Sequence, residues 1–185
     1  MSLKAYPLDN MQMVILEQRA FSTADEVLPY LREIDQNPYY SNFGPLVHEF
    51  ESRLTKRLGL SAETITTTSN VKAGLTAALA TSAPNLSRNI ECGPAYCIMP
   101  AWTFVATLHA AIAAGFEPYL VDVAEQTWQL GPQYVRRVNE RLPGRPVAVV
   151  PVAVFGNPVD VVAWDDFGDK TGLYIVIDGA TAFGK

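Results

Sequence analysis

Residues 96–123 read YCIMPAWTFVATLHAAIAAGFEPYLVDV, and this stretch decides the fold. Tyr96 to Met99 is an unbroken apolar run of strand length. Thr103 to Ala114 follows with the composition of a buried helix, and Gly115 is its natural stop. Glu117 to Val121 forms a second strand that ends at Asp122. A strand apolar along its whole length is covered on both faces, and two of them joined by a helix read as parallel neighbours. The same grammar continues outward. Gly131 to Arg141 predicts a helix, Val147 to Val154 an apolar strand interrupted at Pro151, Val159 to Asp169 a helix, and Leu173 to Ile177 a last strand ending at Asp178. The expectation is an α/β fold: a three-layer, mostly parallel sheet with helices on both faces.

Toward the amino end the pattern is more helical. Ser22-Thr23 precede Ala24-Asp25-Glu26, a helix start with acids in its first turn, and the helix should end near Gln36, before Pro38. Pro45 opens a second helix, with Leu46, Phe50, Leu54 and Leu58 at four-residue spacing and Gly59 as its stop. Glu63 to Thr67 reads as a strand. Ser69 or Asn70 could cap the helix that follows, whose apolar face includes Leu75, Ala78 and Leu79, and Pro84 to Gly93 reads as a polar loop.

Composition fixes the broad class. Apolar residues make up 49% of the 185 and charged residues 18%, which suits a packed core and excludes a disordered chain. The net charge is −5 and the 14 Lys and Arg are scattered, so neither nucleic acid nor an acidic membrane surface is expected as a partner. The longest apolar stretch, Phe104 to Phe116, is too short to span a bilayer, and no charged-then-apolar leader opens the chain. Two cysteines, Cys92 and Cys97, are too few for a disulfide framework or a zinc site, which makes a reducing, cytoplasmic location the expectation.

In a parallel sheet, ligands gather beyond the carboxyl ends of the strands, so the residues just after each strand carry the chemistry. Ser69-Asn70 either caps a helix or lends free backbone donors to a phosphate. Neither GxGxxG nor GxxxxGK[ST] is present. Trp102 and Phe104 are core residues or a wall for a flat ring. Asp178, behind Ile175-Val176-Ile177, either caps a following helix or is a buried anion facing a cationic group. His48 and His109 have no second ligand at metal spacing, so no metal is expected.

Six runs then come together. Tyr40-Ser41-Asn42-Phe43-Gly44-Pro45, Thr68-Ser69-Asn70, Pro100-Ala101-Trp102-Thr103-Phe104-Val105-Ala106-Thr107, Val121-Asp122-Val123, Phe155-Gly156-Asn157-Pro158-Val159-Asp160 and Ile177-Asp178-Gly179-Ala180 stand in order over nearly the whole chain. In this the chain resembles the amino-terminal part of the DegT/StrS family, pyridoxal 5'-phosphate (PLP) dependent aminotransferases acting on nucleotide-linked keto-sugars. The resemblance implies the large domain of fold-type I PLP enzymes, truncated, with the small carboxy-terminal domain absent from residues 1–185. It also implies PLP as cofactor, glutamate and a nucleotide-linked keto-sugar as substrates, a homodimer, and a place in polysaccharide biosynthesis.

The resemblance also implies roles. Asp178 matches the aspartate paired with the PLP ring nitrogen, where a carboxylate keeps the ring protonated and a good electron sink. Phe104 matches the aromatic stacked on the ring. Asn70, with the amides of Val71 and Lys72, matches the turn that holds the phosphate. Tyr40 and Asn42 match the segment that borders the active site near the dimer interface. The departures are Val71-Lys72 where the family has Gly-Thr, Gly179 where it has Ala, and Thr181, at a cofactor-contacting position, where it has Gln or His. The Schiff-base lysine should lie beyond Lys185, because Lys4, Lys56, Lys72, Lys170 and Lys185 all stand in other contexts. The 185-residue chain alone is therefore expected to bind PLP weakly or not at all and to transfer no amino group. The alternative is a non-catalytic relative with a binding or regulatory role.

Overall fold

Strand β1 (Ala95–Pro100) is buried along all six residues, and the sheet is laid out from it. In the computed structural model, which describes residues 21–62, 64–82, 93–139 and 141–183, β1 pairs in parallel with β2 (Glu117–Val121) on one side and β3 (Arg145–Val149) on the other. β4 (Tyr174–Ile175) pairs in parallel with β3, giving the order β2-β1-β3-β4. The chain divides into two units, residues 1–65 and 66–185, and the sheet belongs to the second.

Helices cover both faces of the sheet. Alternation along β1 sends Cys97 and Met99 to one face, where they pack with Leu79 of α3 (Val71–Ser82) and Ala111 of α4 (Val105–Ala113). Ile98 faces the other way, toward Val135 of α5 (Pro132–Asn139) and Trp164 and Phe167 of α6 (Val161–Thr171). Two apolar cores, one per face, make this the three-layer α/β fold that the sequence predicts.

The strands are shorter than their apolar runs. The run Val147–Val154 is interrupted, as expected from Pro151, which has no N–H to donate, and the regular ladder already ends at Val149. Pairing continues irregularly: Val150 N donates to Ile98 O, Asp178 N to Pro151 O, and Ala153 N to Asp178 O. Residues 64–67 form no strand, although their β-branched residues suggested one. β-propensity reports fit to a sheet surface, and among the described residues this run has no neighbouring strand. Glu63, the 84–92 part of the expected loop, Cys92, Lys4 and Lys185 lie outside the described residues.

Among the described residues the first unit contains two helices, α1 (Ala24–Gln36) and α2 (Pro45–Leu58), and neither carries a fully buried residue. Thr23 caps α1 with a capping box, and its two donors hold the Glu26 carboxyl below its ordinary value. α2 opens at Pro45 and stops at Gly59, whose φ of 66° is left-handed. Among the described residues no helix is long and apolar enough to cross a membrane.

Candidate functional site

After β1 the chain passes through α4 to β2; after β3 it passes through α6 to β4 on the other side. α4 and α6 cover opposite faces, so the carboxyl ends of β1 and β3 are the point where the winding reverses. A crevice opens at such a point in open parallel sheets. Asp178 sits there. Its backbone bridges Val152, just beyond β3, and its side chain reaches Thr107 of α4, the helix that follows β1.

The surroundings of Asp178 are specific. The residue is 7% exposed. Its Oδ2 accepts from Thr107 Oγ1 at 2.8 Å and its Oδ1 from Ala180 N at 3.2 Å. Among the described residues no Lys, Arg or His pairs with it. An ionised carboxylate offers about four acceptor positions, so two neutral donors leave capacity for a further one. A buried carboxylate without a cationic partner is costly, and a protonated ring nitrogen is the kind of group that would complete it. Both sequence readings for Asp178 find a counterpart: Ala180 N bonds its Oδ1 as a capping amide would, at the start of a turn, and its burial and Thr107 bond are those of a buried acid.

Phe104 is the N-cap residue of α4 and is 78% exposed. It lies three residues before Thr107, and Thr103 Oγ1 lies 2.8 Å from Thr107 Oγ1. Phe104 and Asp178 are therefore joined to the same first turn of α4. Trp102 forms an edge-to-face pair with Trp128, whose ring also meets Phe155 at 6.3 Å.

Asn70 is a helix cap: its Oδ1 accepts from Ala73 N at 3.0 Å. Val71 and Lys72 open α3, so their amides have no carbonyl one turn earlier to bond. α3 packs on α4, with Thr76 Oγ1 3.5 Å from Ala110 O. The Thr181 hydroxyl is engaged with backbone, donating to Ala153 O at 2.7 Å and accepting from Gly156 N at 3.1 Å. It ties the turn after Asp178 to the turn after β3. Gly156 is needed there: its φ is 78°, and a Cβ would lie 2.7 Å from Thr181 O. Tyr40 and Asn42 are exposed in the first unit. Of the lysines, Lys170 pairs with Asp166 in the last turn of α6, which leads into β4 and so lies at the opposite end of the sheet from Asp178.

Thr107 and Thr103 were not singled out from the sequence. Both stand in the run Pro100 to Thr107 that carries the resemblance, and their local signal is a pair of hydroxyls four residues apart at the start of a helix that follows a buried strand.

The family profile for DegT/DnrJ/EryC1/StrS aminotransferases matches residues 22–185. The chain belongs to that family. It is 32% identical over 171 residues to a dTDP-4-amino-4,6-dideoxy-D-glucose transaminase of Shigella dysenteriae, an alignment covering 92% of this chain and 43% of that protein. Among solved structures it resembles DesI, determined in the presence of its TDP-sugar product, with a TM-score of 0.70 and 31% identity over 88% of this chain and 38% of that one. It also resembles NtdA from Bacillus subtilis with bound PMP, with a TM-score of 0.70 and 25% identity over 88% of this chain and 35% of that one. The chain thus spans less than half the length of these DegT/DnrJ/EryC1/StrS relatives.

Proposed function

We propose that the protein is a PLP-dependent aminotransferase that passes an amino group from glutamate to a nucleotide-linked keto-sugar. The observation that carries this reading is Asp178: a buried carboxylate, held by neutral donors at the point where the sheet reverses its winding. PLP, when bound, would supply the electron sink that the chemistry needs. Asp178 would accept the ring N–H and hold its proton. Phe104 would cover one face of the ring, excluding water from it. The Asn70 turn, with the amides of Val71 and Lys72, would take the phosphate, and the Lys72 ammonium would add charge in place of the family's hydroxyl. Thr181 would act one step back, by fixing the turn that carries Asp178.

The lysine that holds the cofactor covalently would come from sequence beyond Lys185, a homodimer would complete the active site, and Tyr40 and Asn42 would stand at the dimer interface. A cytoplasmic enzyme fits the availability of sugar nucleotides and glutamate. No observation favours the non-catalytic alternative; Thr181, one of the departures behind it, has a structural task. The test is transamination. Protein expressed from the complete reading frame, given PLP, glutamate and a dTDP-linked 4-keto-sugar, should form 2-oxoglutarate and the amino sugar in equal amounts. Residues 1–185 alone should form neither. No product from the complete protein with any nucleotide-linked keto-sugar would refute the proposal.

A further inference from the structure

We infer that Thr107, backed by Thr103, is the positioning residue that aims the Asp178 carboxylate at its cationic ligand; this rests on the reading of Asp178 given above. Thr107 is 1% exposed, and the two residues it links are 71 positions apart in the chain. A hydroxyl has one proton. An ionised carboxylate can only accept, so the Thr107 proton goes to Asp178 Oδ2 across 2.8 Å. The 2.8 Å contact between the two threonine oxygens then has one direction: Thr103 donates to Thr107. The other acceptor within reach of Thr103, the Phe104 carbonyl oxygen, is at 3.5 Å and is the weaker competitor.

The result is a directed chain, Thr103 to Thr107 to Asp178, in which each hydrogen bond polarises the next. It begins at the loop leaving β1 and ends on the residue that bridges the loop leaving β3, so it crosses the crevice. Ala180 N, two residues along the same turn, bonds the second carboxylate oxygen. Held at both oxygens, the carboxylate cannot rotate, and its remaining lone pairs keep one direction. A valine at 107 would fill nearly the same volume but release Oδ2. A serine would keep the donor.

The experiment compares two ligands that differ only at the atom Asp178 is meant to meet: PLP and its 1-deaza analogue, in which CH replaces the ring nitrogen. Dissociation constants are measured by tryptophan fluorescence on protein from the complete reading frame. Thr107→Val should weaken PLP binding about tenfold, the loss expected for one hydrogen bond to a charged group, and leave the analogue within about twofold. Thr107→Ser should bind both as the parent does. Equal weakening of both ligands by Thr107→Val would show that Thr107 merely supports the fold, and would overturn the inference. If Thr107→Val does not fold, Thr103→Val decides in its place: a loss confined to PLP supports the chain of hydroxyls, and an equal loss or none refutes it. Asp178→Asn reads the underlying assignment separately. That variant should lose the preference for PLP over the analogue that the parent shows; a parent without that preference, a variant that keeps it in full, or absence of binding by either ligand to the parent would remove the premise itself.

Discussion

At the scale of single residues, burial separates Asp178 from Cys97. Cys97 lies in the apolar core against Leu79 and Ala111, with nothing to stabilise a thiolate, and burial pushes its thiol up to about 12. The thiolate is the reactive form, so Cys97 should resist iodoacetamide in the native protein at pH 8 and react only on unfolding. Peptide-resolved mass spectrometry checks this, and rapid native labelling of Cys97 would contradict the packing. The sign of the linkage follows. The unfolded thiol ionises near 9 and the folded one near 12, so this contribution to stability is intact below pH 9 and is lost as pH rises toward 12. Asp178 is buried as well, but hydroxyl and amide donors meet both its oxygens. That difference separates a candidate site residue from a core residue.

At the scale of elements, the helix caps join stability to binding. Asn70 holds the first turn of α3 through Ala73 N. Aspartate caps a helix as well as asparagine does, so Asn70→Asp should leave stability within about 0.5 kcal/mol of the parent. The added negative charge would oppose a phosphate there, and PLP affinity should fall several-fold. Urea unfolding and a PLP titration read the two effects separately; unchanged affinity would remove Asn70 from the phosphate site. Elements with strong local signals were legible in the sequence: Thr23 with Glu26, Pro45, Gly59, and the fully apolar β1 all lie where patterning puts them. Residues 64–67 carried strand propensity without a partner strand, and β4 shrank to Tyr174–Ile175 because regular pairing lapses beyond Val149. Asp178 was legible as an acid closing an apolar run. Its link to Thr107 was not, because that contact spans 71 residues and depends on how the sheet is ordered.

At the scale of the whole molecule, large apolar side chains remain on the surface. Val27, Leu31 and Phe50 on α1 and α2, and Phe104 and Phe155 beyond the strands, are all exposed. Surfaces of this kind mark association. Protein from the complete reading frame should sediment as a dimer at micromolar concentration, and a monomer would contradict the proposed homodimer. Assembly and catalysis both presuppose that the crevice at the ends of β1 and β3 is a cofactor site, and one measurement addresses that premise most directly. It is the dissociation constant for PLP of the complete protein with Asp178 intact and with Asp178→Ala, alongside a melting curve for each. The account predicts that Asp178→Ala stays folded and binds PLP at least about tenfold more weakly, since a hydrogen-bonded charge pair is lost. Equal affinity for PLP in two equally folded proteins would contradict it.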